Sequence, residues 1–170
     1  MYRHVERVLS GERNIMIVSP YIDDYYASYL LRHSRGKSIR ILSSSIRPEA
    51  AKRLKGRRAA PAAAFALAVI TLDIALIAAG IVYFAFIAIS SAVAVIALAI
   101  SLRRRTGIAL RVPKGFVHAK MYIGDNLAVV GSANLTYAGM HGNVEHVEVI
   151  SDKGRINDLK KQFMGLWDPA

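Results

Sequence analysis

Apolar and polar positions change rhythm along the chain, and the rhythm predicts an alternating α/β order with one long interruption. Residues 2–10 read as a short helix. IMIVSP, residues 15–20, is a β-branched apolar run ended by proline and predicts a buried strand. Asp23 is placed to cap a helix running to about His33. SIRILSS, 38–44, predicts a second strand, and RPEAAKRLK, 47–55, a helix with Pro48 in its first turn. Further on, GIALRV (107–112), FVHAKMYI (116–123), LAVVGS (127–132) and HVEVIS (146–151) read as strands, with a hairpin turn at Gly124-Asp125-Asn126 and a closing helix over 155–166. Helices and strands alternate first and strands cluster later. The expected fold class is therefore α/β: a mixed β-sheet flanked by helices.

The interruption is the run from residue 59 to 102, 44 residues whose single charge is Asp73. It exceeds twice the roughly 20 residues needed to cross a bilayer. One continuous helix would be about 66 Å long. Two helices, about 61–79 and 82–102 with a turn near Gly80, fit better. Lys52, Arg53, Lys55, Arg57 and Arg58 precede the run and Arg103, Arg104 and Arg105 follow it. Basic residues at both ends favour a multi-pass, two-helix transmembrane hairpin with both termini, and with them residues 1–58 and 103–170, cytoplasmic. The competing readings are a re-entrant or shallow insertion, for want of a polar loop, and a buried helical hairpin outside any membrane. Asp73 is costly in lipid. It is expected to be neutral, to face a partner helix, or to lie near the far interface; a functional intramembrane acid is the sharper alternative. On this reading residues 1–58 and 103–170 form one discontinuous domain and 59–102 the inserted hairpin.

Charge and composition narrow the chemistry. The 170 residues carry 23 Lys+Arg against 12 Asp+Glu, a formal net charge of +11, which suits a polyanionic partner: nucleic acid or an anionic bilayer surface. A basic membrane flank alone also accounts for it. The absence of cysteine excludes disulfides, thiolate catalysis and cysteine metal sites. The polar start, MYRHVERVLSGERN, predicts no signal peptide. The five histidines, at 4, 33, 118, 141 and 146, lack zinc-ligand spacing, and no metal or cofactor is expected. No aromatic-rich basic motif for base stacking stands out; the tyrosines of PYIDDYYASY, 20–29, read as core and helix surface.

The chemical candidates cluster in FVHAKMYIGDNLAVVGSANLT, residues 116–136. Alternation in a strand puts His118, Lys120 and Tyr122 on one face and Ala119, Met121 and Ile123 on the core face. Asn134 follows the small-residue turn Gly131-Ser132-Ala133. Imidazole, ammonium and amide together suit a phosphoryl group, which needs a nucleophile, a cation and donors for its oxygens. Singly, a strand histidine, a solvated lysine and a turn asparagine are ordinary structural residues.

His118-x-Lys120-x4-Asp125, followed by Gly131-Ser132-x-Asn134, resembles the HKD signature of the phospholipase D-like superfamily. Thr136, Gly139 and Asn143-Val144-Glu145 continue the resemblance, and IMIVSPYI is similar to the family's first strand. The likeness covers nearly all of the chain outside the apolar run. It implies a metal-independent phosphodiesterase in which His118 forms a phosphohistidine, a second histidine serves as acid and base, and Lys120 and Asn134 hold the phosphoryl oxygens. It further implies that Ser132 adds a hydrogen bond, that Glu145 rather than Glu148 orients an imidazole, and that Asp125 is mainly structural. Only one H-x-K occurs; His4, His33, His141 and His146 lack the lysine. A two-fold homodimer sharing one active site supplies the second copy of His118. The alternative takes the second histidine from within the chain, at His141 or His146. Short single-motif members resemble small endonucleases, so the expected substrate is nucleic acid. The alternatives are phospholipid hydrolysis or phosphatidyl transfer at a bilayer, and an inactive membrane scaffold.

Overall fold

The structure is a computed structural model that describes residues 2–54, 60–78, 84–103 and 107–168. It divides into two compact units, residues 1–56 with 106–170, and residues 57–105.

The larger unit is a three-layer arrangement around a six-stranded mixed sheet. Helix α1 (Tyr2–Gly11) leads into strand β1 (Asn14–Val18), a two-residue strand β2 (Tyr21–Ile22), helix α2 (Asp24–Arg32), strand β3 (Ser38–Leu42), a second two-residue strand β4 (Ser45–Ile46) and helix α3 (Pro48–Leu54). After the smaller unit come β5 (Ile108–Arg111), β6 (Met121–Ile123), β7 (Ala128–Gly131), a π-turn at 138–142, β8 (Val147–Ile150) and helix α6 (Lys153–Trp167). The sheet order is β5-β3-β1-β6-β7-β8. β1, β3 and β5 are parallel; β6, β7 and β8 join antiparallel. β2 and β4 form a separate parallel pair.

Strand alternation sorts the core into two layers. Ile15, Ile17, Ile39 and Ile41 face one side, where Val5, Val8 and Leu9 of α1 and Tyr26 and Leu30 of α2 pack on them. Val18, Leu42, Met121 and Ile123 face the other, against Ile156, Leu159, Phe163 and Trp167 of α6. The last four recur at helical spacing, and Phe163 is fully buried; burying such a ring contributes roughly 1.5–3 kcal/mol. The expected Asp23 cap is present, its carboxylate accepting from the Tyr26 amide at 3.0 Å. Asp152 caps α6 in the same way, accepting from the Arg155 amide at 2.9 Å.

The smaller unit holds helices α4 (Ala60–Ala78) and α5 (Phe84–Arg103). Asp73 of α4 is 5 % exposed and faces α5. The Ser90 hydroxyl donates to both its oxygens at 2.9 Å and the Ser91 hydroxyl to Oδ2 at 3.1 Å. Phe65, Leu67, Ile70, Leu72, Ile74 and Ile77 are exposed. Among the described residues no helix is long and apolar enough to cross a membrane. This overturns the expectation of a two-span transmembrane hairpin and the multi-pass membrane location built on it. The run is carried by two helices of 19 and 20 residues. Eight of the 19 in α4 are alanine, a side chain that contributes less to transfer into lipid than leucine or isoleucine. The hairpin also carries its own polar contact at Asp73, Ser90 and Ser91. The turn expected near Gly80, with Lys55, Arg57, Arg58, Arg104 and Arg105 of the basic flanks, lies outside the described residues.

Candidate functional site

The site forms where β1 and β3 end and β6 begins. Both parallel strands finish in serines, and these hydroxyls do the work of a ladder. The Ser19 hydroxyl donates to the Tyr21 carbonyl at 2.8 Å and accepts from the Leu135 amide at 2.9 Å. Ser43 donates to the Pro20 carbonyl at 3.2 Å. Ser44 accepts from the Val117 amide at 2.8 Å and donates to the Val117 carbonyl at 3.1 Å. The chain from 117 to 120 is therefore pinned by a side chain, and β6 is shorter than the expected 116–123. Ala119, expected in the core, is exposed; Met121, Tyr122 and Ile123 are buried. Tyr122 points inward and donates to the Ala133 carbonyl at 2.8 Å.

Released from the ladder, His118 is exposed, whereas Lys120 is only 6 % exposed. The Lys120 ammonium donates to the His118 carbonyl at 2.8 Å and lies 3.0 Å from Nε2 and 3.1 Å from Nδ1 of its ring. The near-equal distances set the cation beside the imidazole rather than on the lone pair of one nitrogen. Burial pulls the Lys120 pKa down from the ordinary lysine value, and the Glu145 charge opposes that shift.

The Gly131-Ser132-Ala133-Asn134 turn is brought alongside by the Gly131 amide, which donates to the Lys120 carbonyl at 3.3 Å. A Cβ on Gly131 would sit 2.2 Å from the His146 carbonyl oxygen, so only glycine allows this approach. The Ser132 hydroxyl donates to Glu145 Oε2 and accepts from the His146 amide at 2.9 Å. Asn143 Nδ2 donates to Glu145 Oε1 at 3.1 Å. The Ser132 and Asn143 bonds hold the Glu145 carboxyl below the usual glutamate range. Within the chain Glu145 thus bonds to Ser132 and Asn143, not to an imidazole. Asn134 Oδ1 is buried without a hydrogen-bond partner among the described residues.

Asp125 lies elsewhere, beyond the far end of β6. Its carboxylate accepts from the Asn14 amide at 3.2 Å, from Asn14 Nδ2 at 3.1 Å and from Lys160 at 3.4 Å. Burial works to raise its pKa, but these bonds outweigh burial and lower it. A depressed folded-state pKa means stability present above the unfolded carboxylate pKa and lost as pH falls through the folded one. Asp125→Ala is expected to cost about 2 kcal/mol in urea unfolding, the scale of hydrogen bonds to a charged group, with activity per folded molecule retained. Lost activity at unchanged stability would put Asp125 in the chemistry instead.

His141 is engaged in a ring cluster. It stacks on Tyr137 at 4.7 Å and lies 4.5 Å from Tyr2, and the Tyr26 hydroxyl is 3.2 Å from its Nε2. Sequence reasoning missed Ser19 and Ser44, although serine directly after an apolar strand run was a legible signal. It also missed Phe116, whose ring lies 6.0 Å from His118. Among the described residues no group of three histidines and carboxylates is placed to hold a metal ion.

Comparison with solved structures agrees on the fold. The chain is similar to the phospholipase D family member Nuc from Salmonella typhimurium, at 19 % identity and TM-score 0.53, over 97 % of this chain and 84 % of that one. It is also similar to NucT from Helicobacter pylori, at 13 % identity and TM-score 0.56, over 97 % and 86 %. Among curated proteins, none matches significantly. Residues 5–167 match the family described as cardiolipin synthase, PLD-like domain, a span that takes in both flanks of the helical hairpin and every candidate residue above. The chain belongs to that PLD-like family.

Proposed function

We propose that the protein is a phosphodiesterase that hydrolyses nucleic-acid phosphodiesters through a phosphohistidine on His118, in an active site shared by two copies of the chain. The observation that carries this reading is the buried Lys120 ammonium held against an exposed imidazole. A buried cation beside a solvent-facing nucleophile is arranged for an anionic substrate. An imidazole nitrogen of His118 attacks phosphorus and forms a P–N bond. The P–O bond to the leaving group breaks, and the leaving oxygen takes a proton from the partner copy's imidazole. Water, deprotonated by that same imidazole, then attacks phosphorus and the P–N bond breaks, restoring His118. Lys120 and Asn134 stabilise the phosphoryl oxygens. Ser132 and Asn143 present Glu145 as the carboxylate of the site.

The net charge of +11 and the likeness to Nuc and NucT favour nucleic acid. Phosphatidyl transfer is the second reading, favoured by the description of the matched family. Purified protein, with chelator present, is to be offered single-stranded DNA, RNA, duplex DNA and anionic phospholipid vesicles. Cleavage of nucleic acid at rates well above lipid turnover is expected. Turnover of lipid alone, or strict dependence on an added divalent ion, would overturn the proposal.

A further inference from the structure

An aromatic surface adjoins the nucleophile that the mechanism above does not use. Phe116 is 60 % exposed and its ring centroid lies 6.0 Å from that of His118. Tyr21 is 45 % exposed and lies 6.3 Å from Phe116, the rings inclined at 56°. Large apolar rings exposed to water carry an unfavourable hydration free energy that a covering partner relieves. Neither ring belongs to the buried core. Both are held in place by the serines at the strand ends: Ser19 on the Tyr21 carbonyl and Ser44 on Val117.

From Tyr21 the surface descends into a groove of about 430 Å³ lined also by Ser45, Arg47 and Thr136. Arg47 is exposed, and its guanidinium makes no ion pair or hydrogen bond among the described residues. Asp23 lines the same groove, but its carboxylate is spent on the Tyr26 and Tyr137 amides, at 3.0 and 2.6 Å. The groove therefore offers the Arg47 guanidinium, two hydroxyls and the Tyr21 ring, and from Tyr21 the Phe116 ring leads on to the His118 imidazole.

We infer that Phe116 and Tyr21 form a stacking platform for an unpaired nucleobase next to the scissile phosphate, with Arg47 receiving the neighbouring phosphate, so that the substrate is a single-stranded nucleic acid. This inference rests on the nucleic-acid reading of the site. Aromatic faces beside cationic groups are the combination that binds a single strand, rings taking bases and cations taking phosphates. The 56° inclination lets Phe116 take the face of a base while Tyr21 meets its edge. A base inside a duplex has both faces covered by its neighbours and cannot use the platform without being extruded. Stacking reads any base, so discrimination is by strandedness and not by sequence.

Binding separates this inference from the reading on which it rests. Dye-labelled single-stranded oligonucleotides are titrated, by fluorescence anisotropy, into His118→Ala protein, which binds without cleaving. Phe116→Ala in that background is expected to weaken binding about tenfold or more, in line with the loss of one base stack. Phe116→Trp restores it, and Arg47→Ala lowers affinity with a shallower salt dependence. An oligonucleotide carrying an abasic residue beside the scissile position binds weakly from the start, and on it the Phe116→Ala penalty shrinks. Because Phe116 is exposed, the variants keep the parental melting temperature, which is measured alongside. Equal penalties on intact and abasic strands, or none, would overturn the platform even if wild-type protein cleaves nucleic acid. The same follows if the penalty appears on anionic vesicles but not on oligonucleotides. Tight, Phe116-dependent binding without cleavage by the wild type would keep the platform and sink the nuclease.

Discussion

His118→Ala is expected to abolish turnover, by about four orders of magnitude or more, since no other group replaces a lost nucleophile. That factor corresponds to about 5.4 kcal/mol of barrier. The informative version of the experiment mixes chains. On the proposed mechanism, one HKD-type motif per chain and a need for two histidines would bring both copies of His118 into one site on a two-fold axis. A mixed dimer then lacks one of its two histidines. With random pairing, activity falls as the square of the wild-type fraction once subunits have exchanged. A chain that found its second histidine within itself would lose activity in linear proportion. His141 is poorly suited to that role, with its ring stacked on Tyr137 and its Nε2 beside the Tyr26 hydroxyl. A linear decline with exchange demonstrated independently would defeat the shared site.

Lys120→Met should lower kcat/KM by about 100- to 1000-fold, the range for removing one preorganised stabiliser of developing charge. Its signature lies in the pH profile. Burial lowers the Lys120 pKa and Glu145 counteracts this only in part. The ammonium is therefore lost, as pH rises, before an ordinary lysine would titrate. The alkaline limb of wild-type activity should lie on the acid side of the normal lysine range. Lys120→Arg, charged throughout, should erase that limb while remaining slow, because a planar fork does not fit a point-charge position. For the fold the sign is reversed. A lowered folded-state pKa makes the charge destabilising, and this cost fades as pH climbs from the folded pKa to the unfolded one. An alkaline limb unchanged in Lys120→Arg would assign it to another group.

Much of this was legible in the sequence because strand alternation and cap residues act locally. Ile15 and Ile17, Asp23 and the GDN turn needed no tertiary knowledge. The mixed sheet and the PLD-like family followed from them and from the residues around His118. What failed depended on contacts remote in sequence. The strand expected over 116–123 shrank because Ser44, not a backbone partner, holds Val117. The β2–β4 pair has two residues per strand, too few for any period to show. The aromatic rim escaped a search for a motif because its two rings come from segments far apart in the chain. The apolar run was misjudged for a different reason. Counting uncharged residues gives alanine the weight of leucine. Nor could it show that Asp73 has two serine hydroxyls waiting on α5.

The strand order has a consequence for how the protein is made. β1 lies between β3 and β6, pairing Ile17 with Ile41 on one side and with Tyr122 on the other. The first pairing is available early in synthesis. The second waits until the ribosome has passed through both helices of the hairpin, on the order of ten seconds at ordinary elongation rates. During that interval the nascent two-stranded sheet has β1 open along one edge and β3 along the other. Val18 and Leu42 also remain bare, because α6, which covers them, is translated last among the described elements. An open edge beside an uncovered apolar face is a template for pairing with another chain. The insertion thus sets a delay during which the nascent sheet stays open, and the length of the hairpin, as much as its composition, governs how long that exposure lasts.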